Sequence, residues 1–372
     1  MMDFGAFLTG SVFDVVLAIV AFIGVLSVIV FVHEYGHFKT ARLCGVKVET
    51  FSIGFGRSIG GFIDKYGTHW KIGWLPLGGY VKFAGDANAA SMPSEQALAE
   101  SNPGDFHTAS LWRRALIVVA GPMANFVLAI VIFTLMFMLA GVPITQPKVA
   151  SVVENSAASQ AGFLPGDLIT EIDGRKIESF TDVQRIVSVS AGANMVFKVE
   201  RAGEILELRA TPESKEVEDS SGNKIRIGLL GVSRGSDQVV RVEKLGFGAS
   251  VSRAVDETWF IITRSLGYLK GVVVGNEAPD QLSGPIKIAQ IAGEAASISL
   301  LALIQLSALL SVSIGLINLF PIPMLDGGHL MYYFFEAVRG KPLGAQAQEF
   351  GYKVGFALVI ALMVFATWND LT

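Results

Sequence analysis

Four long apolar runs divide the chain into membrane-spanning and polar parts. They cover about 15–32, 115–140, 295–320 and 354–368, and none of them contains a charged side chain. A transmembrane helix needs roughly 20 mainly apolar residues, so this pattern predicts four spans. The last run is short, and we expect its helix to include residues before Lys353.

The polar stretch after the first run has the pattern of β-structure. Strand-forming residues fill 48–56 and 69–83, and Asp64-Lys-Tyr-Gly67 supplies a turn between them. We interpret this stretch as hairpins that dip partly into the membrane. An unpaired strand edge there would accept an extended peptide by β-addition.

The stretch from 143 to 212 has the composition of a soluble module, with short strands separated by turns. A helix is predicted to start at a Thr181 cap and to run through Ile186. Residues 213–222 are polar and predict a linker. From 245 to 274 the pattern favours an amphipathic helix that lies against the bilayer.

Composition narrows the protein class. Hydrophobic residues make up 51% of the 372 residues and charged residues only 17%, which is too apolar for a soluble enzyme. The net charge of −4 gives no reason to expect nucleic acid as a partner. The single cysteine, Cys44, excludes an internal disulfide, and we favour a small buried hydrophobe over a metal ligand for it.

Basic residues mark the loops after the first and third spans. They predict that these loops are cytoplasmic and that both termini and the 143–212 module lie outside. The residues are Lys39, Arg42, Lys47, Arg57, Lys65, Lys71, Lys82, Arg113, Arg114, Arg339 and Lys341.

The end of the first span carries the sequence His33-Glu34-Tyr35-Gly36-His37. Residues four apart share one helix face, so the two imidazoles can bind one metal ion while Glu34 accepts a proton from the attacking water. Ionisable groups at membrane depth are costly and therefore usually functional. We predict a zinc site here.

The third protein ligand is predicted to come from the end of the third span. Asp326 lies there, at the same predicted depth as the histidines. His329 follows three residues later and is the alternative, which we rank second. Pro321 and Pro323 prevent a regular helix, and the freed backbone groups need a surrounding protein or water-filled cavity.

The second span contains Gly121-Pro-Met-Ala-Asn125. The amide of Asn125 is polar at membrane depth. It would hydrogen-bond either the substrate and a reaction oxyanion or a neighbouring helix, and both interpretations stay open.

Together these motifs resemble the site-2 proteases, and more closely the bacterial RseP-type intramembrane zinc metalloproteases. The resemblance follows the His33–His37 motif, the Gly121–Asn125 motif, a PDZ-like segment at 161–167 and the 318–327 stretch in order. It implies zinc held by His33, His37 and Asp326, with Glu34 as general base.

The same resemblance implies roles around the centre. Asn318, Pro321 and Pro323 would shape substrate binding, and the hairpins would form a membrane-reentrant sheet. One PDZ-like domain, where many RseP-type proteins have two, would offer a carboxylate-binding loop to a peptide C-terminus. The residues expected in that loop are Gly162, Phe163, Leu164 and Gly166.

The expected fold is an α-helical polytopic membrane protein with four transmembrane helices, a membrane-reentrant β-hairpin region and one inserted α+β PDZ-like domain. The expected partners are a pre-trimmed, single-span membrane protein, cut by regulated intramembrane proteolysis, and the lipid of a bacterial inner membrane. The segments are 1–38 (first span), 39–112 (cytoplasmic loop with hairpins), 113–141 (second span), 142–213 (PDZ-like domain, periplasmic), 214–294 (linker and interfacial helix), 295–330 (third span with Asp326) and 331–372 (cytoplasmic loop and fourth span).

Two other functions fit a membrane protein with these side chains. A metal transporter predicts ligands at staggered depths and internal repeats, and the sequence shows neither. A catalytically silent scaffold predicts an incomplete ligand set.

Overall fold

The computed structural model describes residues 12–85, 102–218, 224–234, 241–275, 279 and 283–371. The start of the first predicted segment, 1–11, and part of the predicted linker, 219–222, lie outside these residues. The chain forms two compact units: one includes Leu135–Ser250, and the other holds most of the helices.

The helices and strands follow one another in this order. The helices are α1 (Val12–Leu43), α2 (Leu111–Leu139), α3 (Ala157–Ala161), α4 (Phe180–Ser188), α5 (Phe247–Val274), α6 (Pro285–Ile298), α7 (Leu300–Asn318), α8 (Asp326–Arg339) and α9 (Ala345–Leu371). The strands are β1 (Val48–Ile63), β2 (His69–Phe83), β3 (Val142–Ile144), β4 (Ser151–Val152), β5 (Leu168–Ile172), β6 (Arg175–Lys176), β7 (Met195–Arg201), β8 (Glu204–Ala210), β9 (Glu213–Glu218), β10 (Lys224–Leu229), β11 (Val232–Ser233) and β12 (Arg241–Glu243).

Within the described ranges, four helices are long and apolar enough to cross a membrane, namely α1, α2, α7 and α9. The chain is therefore an integral membrane protein, as its hydrophobic pattern predicts.

The helix bounds differ from the apolar runs in two places. The third run contains two helices, because Ser299 has an extended backbone and its side chain accepts a hydrogen bond from the Ala302 N–H, which caps α7. The predicted start of the third span at 295 is therefore corrected to Leu300. The fourth helix begins well before Lys353, as expected from the shortness of its run.

Strands β1 and β2 form one long antiparallel hairpin whose turn lies at Asp64–Thr68. Each strand bends, so that the first half of β1 lies between the two halves of β2. Thr50 accordingly has both His69 and Lys82 as cross-strand neighbours. The predicted β-hairpin and its turn are present, its insertion into the membrane stays a prediction, and the last part of β2 forms an edge of the sheet.

Aromatic side chains hold this sheet against the end of α1. The ring of Phe51 is fully buried between Trp70, at 4.3 Å between centroids, and Phe38 of α1, at 5.4 Å. Offset and edge-to-face ring pairs of this kind add to the burial of apolar area. The sheet is therefore packed beside the turn of α1 that carries the histidine motif.

Small residues let the helices of this unit approach one another closely. A Cβ at Gly36 of α1 would collide with the carbonyl of Ala120 in α2, and one at Gly293 of α6 would lie 2.6 Å from the Cβ of Ala18. Close backbone approach at small residues is the usual way in which helices associate in lipid.

The other unit contains a four-stranded antiparallel sheet in the order β6-β5-β7-β8. Its core includes Phe163, Ile169, Phe197 and also Leu230, which is 2% exposed. Strand β11 pairs with β4, and β10 with β9. The module therefore extends past the predicted boundary at 213, because residues after it complete the core.

The helix predicted to start at a Thr181 cap has its cap two residues earlier. Ser179 caps α4, and Asp182 hydrogen-bonds back to the Ser179 N–H, which makes a capping box. The predicted helix at 245–274 is confirmed as α5. Its contact with the bilayer stays a prediction.

Candidate metal centre

The two histidines of α1 face the interior of the helical unit. His33 and His37 are each 8% exposed, and their Nε2 atoms lie 3.2 Å apart, one helical turn from each other. The predicted placement of both imidazoles on one helix face is confirmed.

Asp326 completes a group of three converging ligand atoms. Its Oδ2 lies 3.1 Å from His33 Nε2 and 3.4 Å from His37 Nε2. This oxygen is buried, and the three ligand atoms lie within 4.8 Å of one another, which is close enough for them to bind one ion. In the part of the chain that the structure describes, these residues form the one such group of three.

The site has room for an ion because position 121 carries no side chain. A Cβ at Gly121 of α2 would overlap Nε2 of His37 and lie 2.9 Å from Nε2 of His33. Two imidazoles and one carboxylate are the donor set of a catalytic zinc site that leaves a fourth position open. The residues present therefore fit zinc.

The backbone before α8 fixes the position of Asp326. Pro321 and Pro323 lie in a turn that folds back on the first turn of α8, and Met324 within it has a positive φ of 94°. A Cβ at Gly327 or Gly328 would collide with carbonyl oxygens of this turn. The two glycines are therefore needed for the turn to close, and the closed turn places Asp326 at the start of the helix.

An ion pair holds the other end of α8. Arg114 of α2 donates two hydrogen bonds to the carboxylate of Glu336, at 3.2 and 2.5 Å. Bidentate pairs of this kind fix geometry as well as charge.

His329, the alternative third ligand, points elsewhere. Its ring lies beside Tyr352 of α9, with the Tyr352 hydroxyl 3.3 Å from Nε2. The structure thus places Asp326, and not His329, beside the imidazoles of α1.

Glu34 lies next to the edge strand of the hairpin. The Glu34 carboxylate lies close to the backbone of Val81, and a Cβ at Gly79 would lie 3.1 Å from Glu34 Cγ. The last part of β2 therefore runs directly past the predicted general base.

The second ring nitrogen of each histidine also has a partner on α2. Nδ1 of His37 donates to the Ile117 carbonyl at 2.9 Å, and Nδ1 of His33 lies 3.2 Å from Nδ2 of Asn125. Asn125 is fully buried. The structure thus places Asn125 behind a ligand, although the sequence had suggested contact with substrate or with a neighbouring helix. The contacts of Gly121 and Ile117 with the ligand histidines were not predicted from the sequence. The spacing of four between Gly121 and Asn125 places both on one face of α2, and it could have indicated that this face lies against the histidines.

The other predicted substrate-binding residues lie at or before the turn that leads to Asp326. Asn318 donates from Nδ2 to the Ile314 carbonyl of its own helix at 3.0 Å. Pro321 is exposed and Pro323 is half-buried. None of the described contacts of these three residues involves a metal ligand, so their role in substrate binding stays a prediction.

The predicted carboxylate-binding loop of the module is internally hydrogen-bonded. The N–H groups of Phe163 and Gly166 donate to the carbonyls of Ala158 and Val149, at 3.0 and 2.8 Å. The Gly162 N–H donates to backbone carbonyls of α3, and the Leu164 N–H donates to the Asp167 carboxylate. In this arrangement these four groups are not available to a peptide carboxylate, so the geometry does not support that prediction.

Comparisons with known proteins agree with the metal centre. A relative from Agrobacterium fabrum, named as a candidate zinc metalloprotease, is 47% identical over 95% of both chains. The metalloprotease MmpA of Caulobacter vibrioides is 41% identical over 95% of both chains. The solved PDZ domain of an SdrC-like protein from Listeria monocytogenes is 21% identical and covers 23% of this chain and 83% of its own. Its TM-score of 0.19 is too low to support an argument about the module.

The family model described as "Peptidase family M50" matches residues 7–362, which include all the residues of the metal centre. The sequence motifs, the converging ligand atoms and the match along almost the whole chain agree with one another. The chain belongs to peptidase family M50, the family of the site-2 proteases.

Proposed function

We propose that this enzyme is an intramembrane zinc metalloprotease that performs regulated intramembrane proteolysis. The observation that carries the proposal is the convergence of His33, His37 and Asp326 from two distant parts of the chain. The histidines lie in a helix apolar enough to span the membrane, and Asp326 follows closely after another. The reaction would therefore take place inside the lipid, close to its cytoplasmic surface.

The chemistry divides between the metal and the chain. Zinc, when bound, supplies Lewis acidity that polarises a carbonyl oxygen and favours deprotonation of water. His33, His37 and Asp326 hold it and leave one position open. Glu34 accepts the proton of the attacking water and then returns a proton to the leaving amine, since its carboxylate lies one residue from the first ligand. Gly121 keeps the space between the imidazoles and α2 free.

The substrate must reach this centre as an extended strand. A transmembrane helix hides its carbonyls in i→i−4 hydrogen bonds, and it has to unwind before attack. The edge of β2 beside Glu34 offers backbone groups for β-addition, and the Pro321–Pro323 turn lies on the Asp326 side. We therefore expect helix-breaking residues near the cleaved bond to speed cleavage.

The hairpin has a surface suited to a membrane environment. Several of its large apolar side chains are more than half exposed, which is unusual for a loop in water. These residues are Ile59, Phe62, Ile72 and Trp74. Their exposure supports a sheet that dips into the bilayer beside α1. The basic residues of the same loop support its location on the cytoplasmic side of a bacterial inner membrane. Both termini and the inserted module would then lie on the periplasmic side.

A metal transporter is the less favoured function. A permeation path needs ligands at successive depths, whereas here the three ligand atoms all lie within 4.8 Å of one another. The complete ligand set likewise favours an enzyme over a silent scaffold.

The test is Glu34→Gln in the full chain, assayed on a membrane-tethered reporter. Removal of the general base should lower the cleavage rate by about 100-fold or more, while bound zinc stays at the wild-type level. Glu349→Gln is the matched control, because Glu349 is exposed and pairs with Lys353 one turn away. Wild-type turnover by Glu34→Gln would end the assignment of Glu34. Membrane stubs that accumulate in cells carrying this variant would identify the substrates.

A further inference from the structure

The two ligand histidines are held by partners of different kinds. His37 Nδ1 faces the carbonyl of Ile117, at 2.9 Å. A carbonyl oxygen can only accept, so Nδ1 of His37 carries the proton and Nε2 keeps its lone pair for the metal. The backbone of α2 thus determines the tautomer of His37 by itself.

The partner of His33 does not have this restriction. Its Nδ1 lies 3.2 Å from the side-chain amide of Asn125. An amide can present either an N–H donor or an oxygen acceptor at one place, because a 180° rotation exchanges the two atoms. With Nδ2 toward His33, the proton of the imidazole sits on Nε2, the atom that faces Asp326 and His37. With Oδ1 toward His33, the proton sits on Nδ1 and the lone pair faces the metal.

Asn125 has no evident reason to be buried other than this contact. It is 0% exposed, and its Oδ1 has no hydrogen-bond partner among the residues that the structure describes. Burying an amide with one polar atom unpaired costs about 1–3 kcal/mol, so an apolar residue would be the more stable choice if only packing mattered. Asparagine at this position is therefore better explained by what it does for His33.

Helix α7 holds Asn125 in place from behind. Ser311 donates from Oγ to the Asn125 backbone carbonyl at 2.8 Å. Gly315 lies so close that an added Cβ would be 3.2 Å from the Asn125 Cβ. The Cβ of Asn125 thus has little room to move, and the freedom that remains to the side chain is the rotation of its amide.

We propose that Asn125 is a positioning residue for His33, and that in the zinc-loaded enzyme its amide oxygen accepts the proton on Nδ1. This inference rests on the proposed zinc site. Under this inference α2 supplies the hydrogen-bond partner of Nδ1 in both histidines. The partner is a backbone carbonyl for His37 and a rotatable side-chain amide for His33.

The experiment measures zinc affinity of the purified full-length protein by competition with a chelator. Asn125→Leu removes the acceptor and should weaken zinc binding by about 10–100-fold, the usual effect of losing an outer partner of a ligand histidine. Asn125→Asp keeps an acceptor at the same place and should bind zinc almost as well as the wild type. Thr134→Val is the matched control, since Thr134 is a buried polar residue of the same helix, about two and a half turns beyond Asn125, and its exchange should leave the affinity unchanged.

A second measurement does not depend on catalysis, and it can also be made on a second variant if Asn125→Leu does not fold. Cobalt(II) takes the same kinds of ligand as zinc and gives a visible absorption spectrum that depends on ligand geometry. The spectrum should change in Asn125→Leu, and also in Asn125→Ser if the leucine variant does not fold, because a serine hydroxyl is too short to reach Nδ1. It should stay the same in Thr134→Val.

Three outcomes would overturn the inference. Wild-type zinc affinity in Asn125→Leu would show that the residue only packs. An equal loss in Asn125→Asp and Asn125→Leu would show that the amide donates to His33 instead. If the wild type bound no zinc that is lost in His33→Ala and His37→Ala, the proposed function itself would fail, and the inference with it.

Discussion

Gly121 lies against the imidazole of His37, so close that a single added carbon atom would overlap Nε2. The contact joins two helices, α2 and α1, and it sits directly beside the converging ligand atoms. The absence of a side chain at Gly121 therefore leaves the space that the His37 imidazole occupies.

Gly121→Ala is expected to displace at least one imidazole and to lower zinc content well below one ion per chain. The reason is steric, because the backbone of α2 is held near α1 by the close contact at Gly36. Metal analysis of purified protein measures the effect. Gly24→Ala in α1 is the control, since a Cβ there meets nothing within 4 Å. Full zinc occupancy in Gly121→Ala would contradict the geometry.

Asp326→Ala should lose zinc, whereas His329→Ala should keep it. Asp326 places Oδ2 within 3.4 Å of both imidazoles, but His329 contacts Tyr352 of α9. A competition titration with a chelator distinguishes the two variants. Retention by Asp326→Ala together with loss by His329→Ala would mean that the third ligand has been misassigned.

The hairpin turn is tied to the end of α1 by one carboxylate. Asp64 accepts hydrogen bonds from Arg42, from the Trp70 indole at 3.1 Å and from the Tyr66 N–H at 2.9 Å. Arg42 in turn lies over the rings of Phe38 and Tyr66, at 4.2 and 4.5 Å. Burial alone would raise the pKa of Asp64, but the hydrogen bonds from Trp70 and Arg42 outweigh it and hold the pKa well below its usual range.

Because the pKa of Asp64 is depressed in the folded chain, its contribution to stability is complete above the ordinary value of about 3.9. It is lost as the pH falls from there through the folded pKa. Asp64→Asn should imitate the acid form and loosen the turn at neutral pH. Hydrogen exchange of amides 64–70 measures this, and it should rise in the variant at pH 7. Protection equal to that of the wild type would show that the carboxylate does not anchor the hairpin.

In the inserted module, Arg201 holds the loop that precedes β5. It donates to both oxygens of Asp167, at 2.7 and 2.8 Å, and to the Gly162 carbonyl at 2.8 Å. Burial tends to raise the pKa of Asp167, and the hydrogen bonds from Arg201 and from Leu164 outweigh it, so the pKa lies below its usual value. The carboxylate is fully buried, so losing Arg201 would leave it without its cationic partner.

Arg201→Met should therefore lower the free energy of unfolding of the module by roughly 2 kcal/mol, the usual scale for hydrogen bonds to a charged group. Lys198→Met on the same strand is the control, because Lys198 pairs with Glu171 at the surface and such pairs contribute about 0–1 kcal/mol. Native-state hydrogen exchange of β5 and β7 compares the two. Equal effects would mean that the buried pair has no special role.

Several features of this protein follow from local sequence alone. The four spans come from run lengths, and the shared face of His33 and His37 comes from their spacing of four. The turn at Asp64–Gly67 comes from residues that favour turns wherever they occur. These properties depend on neighbours along the chain, so the sequence is enough to predict them.

Other features depend on which surfaces meet. The run from 295 to 320 is uncharged throughout, and the break at Ser299 is seen only in the backbone of the structure. Ser179 and Thr181 are both good caps, and only the structure showed that Ser179 forms the capping box with Asp182. The predicted module end at 213 failed because Leu230 and Val232, far along the chain, complete the core.

The metal centre shows the same division. Sequence determined the ligand types and one helix face, and predicted depth ranked Asp326 above His329. Only the packing of α8 and α2 against α1 decided that Asp326 meets the imidazoles, that Gly121 leaves them room and that Asn125 stands behind His33. The physical reason is that a contact between distant segments is a property of two surfaces together, whereas a hydrophobic or spacing pattern describes one segment by itself.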